Sequence, residues 1–192
     1  MGGFVIRKHC TSLPLLLKSA IIAVLSALSK IKDVDTVIWA LQALPNLFTA
    51  SGTVCICISG AKNHQEIKKT LWGDGDVGLK KLVDLLSHWT EQNRLDVMIF
   101  ALHAIYCACN SIATVHEIED VFGLWECGME AVLGAMRKAL SPSVSIQQRR
   151  KLIQLSCYVL SVICSYNVRS QFSFAKSGGA IPDALSTDTN VA

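Results

Sequence analysis

At 192 residues the chain is long enough to bury a sizeable core, as one domain or as about four short stacked units. Half of it is apolar (51%) and only 17% is charged, so much apolar surface must be covered by other parts of the molecule or by a partner. The net charge of +3 is spread over small groups (Arg7-Lys8-His9, Lys68-Lys69, Lys80-Lys81, Arg149-Arg150-Lys151), which excludes the basic stripe interleaved with aromatics that nucleic-acid binding requires.

Residues 1–12 form a basic lead-in. MGGFVIRKHC lacks the apolar core and cleavage site of a secretory signal, so the eight cysteines are expected as reduced thiols in the cytoplasm, with the nucleus as the alternative. Gly2 is followed at position 6 by Ile, where a myristoylation motif prefers Ser or Thr. Leu13 to Ile31 reads as an amphipathic helix, with Leu17, Ile21, Val24, Leu25 and Leu28 three and four residues apart and Pro14 in the first turn. A turn near Lys32-Asp33 leads to a second helix, which Pro45 is expected to kink or end because proline has no N–H for the carbonyl of Leu41. The following TVCICIS looks non-helical, and if extended it would put Cys55 and Cys57 on one face. No CxxC or matching His pair stands elsewhere, so no metal is expected.

A short helix from about Asn63 to Leu71, the loop WGDGDVG and the helix LKKLVDLLSHW (79–89) come next. After a further apolar helix the order recurs as HEIEDVFGLW (116–125), the break ECG and MEAVLGAMRKAL (129–140). It returns after another apolar helix as VRSQFSFAKSGGAIPDALS. Gly78-Leu79, Gly128-Met129 and Ala180-Ile181 mark the breaks, where glycine is expected to leave one helix in a left-handed conformation.

The apolar helices are copies of one pattern: DVDTVIWALQALPNLF (33–48), LDVMIFALHAIYCAC (95–109) and LIQLSCYVLSVICSYN (152–167). Offsets of 61 and then 58 residues bring Val34/Leu95/Ile153, Val37/Met98/Ser156, Leu41/Leu102/Leu160 and Leu44/Ile105/Ile163 into register. Steps of three and four residues trace one buried helical stripe, and a helical unit repeated along a chain implies a stack in which neighbours bury each other's apolar faces. Residues 36–61 and 97–115 carry no charge. Gln42, Pro45, Asn46, Ser51 and Gly52 interrupt the first run and His103 and Asn110 the second, so both read as helices buried in protein rather than membrane spans.

A short helix, a glycine turn, a helix of the kind GMEAVLGAM and a third of the kind VIWALQALPNL resemble an armadillo repeat. FAKSGGAIPDAL is similar to that family's passage from first to second helix, and the likeness covers roughly residues 13–185. HEAT repeats, with two helices per unit, are the nearest structural rival. The resemblance implies an all-α, right-handed superhelical solenoid of about three repeats and a partial fourth, followed by a polar tail at 186–192. It also implies that the third helices line a groove for an extended peptide.

The register reaches the same face. Trp39, Phe100 and Tyr158 share one position about 200° around the helix from the buried leucines. A turn earlier stand Asp35, Asp96 and Gln154, and a turn later Gln42, His103 and Ser161, then Asn46, Cys107 and Ser165. Aromatics flanked by small polar groups suit peptide recognition; the alternative is that they fill space between units. Nuclear import adaptors of the family place an Asn four residues after such a Trp. Here those positions are Ala43, Ala104 and Val162, which speaks against a nuclear-localisation signal as ligand.

An enzyme is not expected: no HExxH pair, G-x-S-x-G elbow or Walker loop occurs, and His103 with Cys107 has no third orienting group. Cys127, Cys157 and Cys164 read as small buried hydrophobes. The expected function is thus a non-catalytic scaffold for a protein or extended peptide, without cofactor. The alternatives are a regulatory or targeting segment of a larger protein and, more weakly, a membrane-peripheral adaptor using the basic lead-in. After GGAIPDALS the last unit has barely begun, which predicts that the chain self-associates through its C-terminal edge or needs a further segment of a longer protein to be soluble; light scattering tests it, and a concentration-independent monomer would contradict it.

Overall fold

The computed structural model describes residues 16–17, 19–28, 30, 33–59, 78–111, 113, 118–124, 126–165 and 167–179, with residues 51–59, 123–124, 126–127 and 178–179 as backbone alone. The basic lead-in, the 63–71 helix, most of the WGDGDVG loop, the Ala180-Ile181 break and the polar tail lie outside the described residues. The described regular structure is helical, with no strand.

Helix α1 (residues 19–28) buries Ile21, Leu25 and Leu28 at the expected spacing. Asp33 caps the next helix, α2 (Val34–Ser59): its Oδ2 accepts the Thr36 N–H at 2.9 Å and the Thr36 hydroxyl. Val37, Leu41, Leu44 and Phe48 form the fully buried stripe of α2. The helix neither ends at Pro45 nor gives way to an extended TVCICIS; it runs on to Ser59, so Cys55 and Cys57 lie on a helix, where residues two apart do not share a face. Pro45 is itself buried within α2, and its carbonyl accepts the Thr49 hydroxyl at 2.9 Å. Tertiary burial of the stripe from Val37 to Phe48 outweighs the backbone bond lost at Pro45.

Helix α3 (Leu79–Glu91) buries Leu79, Leu82, Val83, Leu86 and Trp89. It stops in a Schellman turn: Asn93 adopts φ 56°, its N–H donates to Thr90 O at 3.1 Å and the Arg94 N–H donates to Trp89 O at 3.0 Å. Helix α4 (Leu95–Ser111) follows, then a π-helical turn (Glu119–Leu124), α5 (Glu126–Ala139), α6 (Ile146–Cys164) and α7 (Val168–Phe174), which runs into a second π-helical turn, Ala175–Gly179. Ser145 caps α6 by accepting the Gln148 N–H at 3.3 Å while its hydroxyl donates to Gln148 Oε1, and Asn167 caps α7 by accepting the Ser170 N–H at 3.0 Å.

The glycines at the breaks act differently from the expectation. Gly78 has φ −93°, outside the left-handed region. Gly128 lies inside α5, which starts two residues before it, and there a Cβ would stand 2.1 Å from the carbonyl oxygen of Val121. Close approach of two backbones, not a left-handed turn, fixes glycine at 128.

The three repeated helices lie side by side, α2 against α4 and α4 against α6. Helices α3 and α5 pack on each other behind them, α3 also against α4 and α5 against α6. The Glu119–Leu124 turn and α7 pack together and against α5. The Arg169–Glu119 ion pair at 3.0 Å spans that contact, and Arg137 ties α5 to the last turn by donating to Ser177 O at 3.1 Å. Because α4 is covered on three sides, Val97, Met98, Ala101, Leu102, Ala104, Ile105, Ala108 and Cys109 are all buried, and a single stripe of it reaches solvent. On α7, Val168 (78% exposed) and Phe172 (72%) stand one turn apart on the surface of the C-terminal edge.

Candidate partner-binding face

Packing in the α2–α4–α6 row decides which side of each repeated helix stays open. On α2 the open stripe holds Asp35, Trp39, Gln42 and Asn46, all exposed, at steps of four, three and four residues. On α4 it holds Asp96, Phe100, His103 and Cys107, of which only His103 is fully exposed. On α6 it holds Gln154, Tyr158, Ser161 and Ser165, all exposed. Each repeated helix therefore leaves one stripe at least partly open, and the row sets the three helices side by side.

The aromatic positions are unequal. Trp39 is 73% exposed, a large apolar surface left in water, whereas Phe100 is half-buried and packs on the core. Tyr158 is 46% exposed, and its ring lies 5.6 Å from that of Tyr106 at a tilt of 36°, so α4 and α6 share an aromatic pair. Gln154 Nε2 donates to the Tyr158 hydroxyl at 2.8 Å, which orients the phenol and leaves its proton for another acceptor. Tyr106 was missed by the threefold comparison, because its counterparts in register are Pro45 and Cys164.

Asp96 is the most constrained polar group of the face. Arg94 grips it with Nε at 3.2 Å and Nη2 at 2.7 Å, and its Oδ1 accepts the Val97 N–H at 3.0 Å. The Arg94 hydrogen bonds, then the Val97 N–H, hold the Asp96 carboxyl below the usual range, and the Asp35 charge adds to the field that keeps Arg94 protonated.

Asp33 is likewise held low, by the Thr36 hydroxyl and then its N–H. A carboxylate depressed in the folded state contributes stability that is full above its unfolded pKa of about 3.9 and is lost as pH falls through the folded value. The thermal midpoint is therefore expected to drop as pH falls below about 4. Asp33→Asn with Asp96→Asn should flatten that drop in melts taken at stepped pH; an unchanged acid limb would contradict the assignment.

Burial pushes the Cys107 thiol up, as it does Cys164, which is opposite to what a nucleophile beside His103 requires. Cys157, expected to be buried, is exposed on α6 next to Tyr158, since the third copy turns Ser156 and Val159 inward instead. Among the described residues no group of three or more His, Cys, Asp or Glu side chains is placed to hold a metal, and no helix is long and apolar enough to cross a membrane. A separate cleft of about 410 Å³ opens between α1 and α3, lined by Leu25, Leu28, Leu82, Leu85 and Trp89 with Lys81, Asp84 and His88; it shares no residue with the stripes.

No protein-family model matches the chain, and no curated protein or solved structure matches it.

Proposed function

We propose that the chain is an armadillo-like helical solenoid that serves as a non-catalytic scaffold in the cytoplasm or nucleus, binding an extended peptide or peptide-like segment of a protein across the α2–α4–α6 face. The observation that carries this reading is Trp39, 73% exposed on the open stripe of α2, in a row whose other two helices, α4 and α6, share the Tyr106–Tyr158 pair. Exposed aromatics such as Trp39 and Tyr158 are poor for solubility and good for contact area, and Gln42, Asn46, His103, Gln154 and Ser161 on the same stripes offer the mixed donors and acceptors that a peptide backbone needs. The side-by-side order of the repeated helices, backed by α3 and α5, supports the repeat reading.

The test is panning of a displayed random dodecapeptide library on the full chain, followed by affinity measurement with the enriched sequences. Trp39→Ala combined with Tyr158→Ala is expected to weaken binding by at least about 2 kcal/mol, as for interface anchors. The thermal midpoint should fall only modestly, since Trp39 is 73% exposed and Tyr158, paired with Tyr106 at the surface of the α4–α6 contact, lies outside the core. Full retention of binding would remove the face from consideration.

A further inference from the structure

We infer that this face selects an acidic peptide, whose carboxylate side chain sits at Arg150 and Lys151 within about four residues of an aliphatic or aromatic side chain resting on the Tyr106–Tyr158 pair. This rests on the peptide-binding reading above and adds to it the charge of the ligand.

Arg150, Gln154 and Tyr158 are four residues apart in succession on α6 and all exposed, so the stripe that carries the aromatic pair ends in a guanidinium, with exposed Lys151 beside it. Helix α6 contains Arg149, Arg150 and Lys151 and no acidic residue. Arg149 is committed to the turn after α5, donating to Ala139 O and Ser141 O at 3.2 Å each. Arg150 and Lys151 have no ion-pair partner among the described residues, where the ion pairs run instead between Arg94 and Asp96, Arg137 and Glu130, and Arg169 and Glu119. Helix stability does not explain the pair, because cations near the N-terminal end of a helix oppose its dipole. A basic patch without counter-charge, continuous with an oriented Tyr and an aromatic pair, is complementary to an acidic and apolar segment.

The displayed library gives the experiment. Enriched peptides are expected to carry Asp or Glu within four residues of an aromatic or aliphatic side chain. A synthetic peptide of the enriched consensus should bind Arg150→Glu/Lys151→Glu about tenfold more weakly or worse, as loss and reversal of two exposed pairs implies. Arg150→Gln/Lys151→Gln should fall between, and the affinity of the parent for the peptide should decline with salt. Circular dichroism confirms that the variants keep the helical fold. If the enriched peptides are neutral or basic, or if charge reversal leaves affinity unchanged while Trp39→Ala abolishes it, the acidic preference is wrong and the binding face stands. If no peptide is enriched, both fall.

Discussion

Leu102→Ala is expected to lower the unfolding free energy by about 2 to 5 kcal/mol, the range for truncating a fully buried leucine. Leu102 lies at the middle of α4, with no solvent exposure, on the helix that packs against α2, α3 and α6 at once. Neighbouring helices held by several other contacts cannot collapse into the space, so the lost transfer energy is joined by the cost of a cavity. Urea titration followed by helical circular dichroism checks it. A loss under about 1 kcal/mol would mean that α4 is not the central element of the row.

The second large effect has a sign that helix propensity alone gives wrongly. Gly128 is inside α5, where replacing Gly by Ala should by itself stabilise by about 1 kcal/mol. Its new Cβ would meet the Val121 carbonyl oxygen at 2.1 Å and the Phe122 ring at 3.2 Å. The nearer obstacle is backbone, which no rotamer change relieves, so α5 must move off the Glu119–Leu124 turn. Gly128→Ala is expected to destabilise by about 3 kcal/mol or more. Gly134→Ala, on the same helix, is the control: its Cβ would touch only the Thr90 methyl at 3.8 Å, an ordinary contact, and the expected change is a gain of up to about 1 kcal/mol. Chemical denaturation of the two variants side by side checks the pair, and Gly128→Ala at or above parent stability would contradict the close packing.

The threefold register made the buried stripe readable: Val37 and Met98, Leu41 and Leu102, and Leu44, Ile105 and Ile163 are all buried in their aligned places. In the third copy the stripe turns slightly. Leu152 and Val159 are fully buried where Ile153 and Leu160 were expected, and Ser156 is buried without a partner for its hydroxyl. Periodicity fixes a face only to within one position, and packing against α4 and α5 selects between neighbours. Of the two outcomes expected at Pro45, the helix end does not occur, because the stripe from Val37 to Phe48 commits α2 to its neighbour, and TVCICIS continues the helix against its strand preference. Gly128 was legible as a special residue but not in its reason, since the Val121 backbone that excludes a side chain is a tertiary neighbour. On the candidate face, the exposure of Trp39 and Tyr158 followed from position alone. The role of Tyr106 did not, because it depends on how α4 and α6 lie together.

The most direct test of the central claim is amide hydrogen exchange of the full chain with and without a library-selected peptide. Added protection confined to α2, α4 and α6, around Trp39, His103 and Tyr158, is the predicted result. Protection centred instead on α3 and α5, or on α7, would contradict it and place the partner on a different surface.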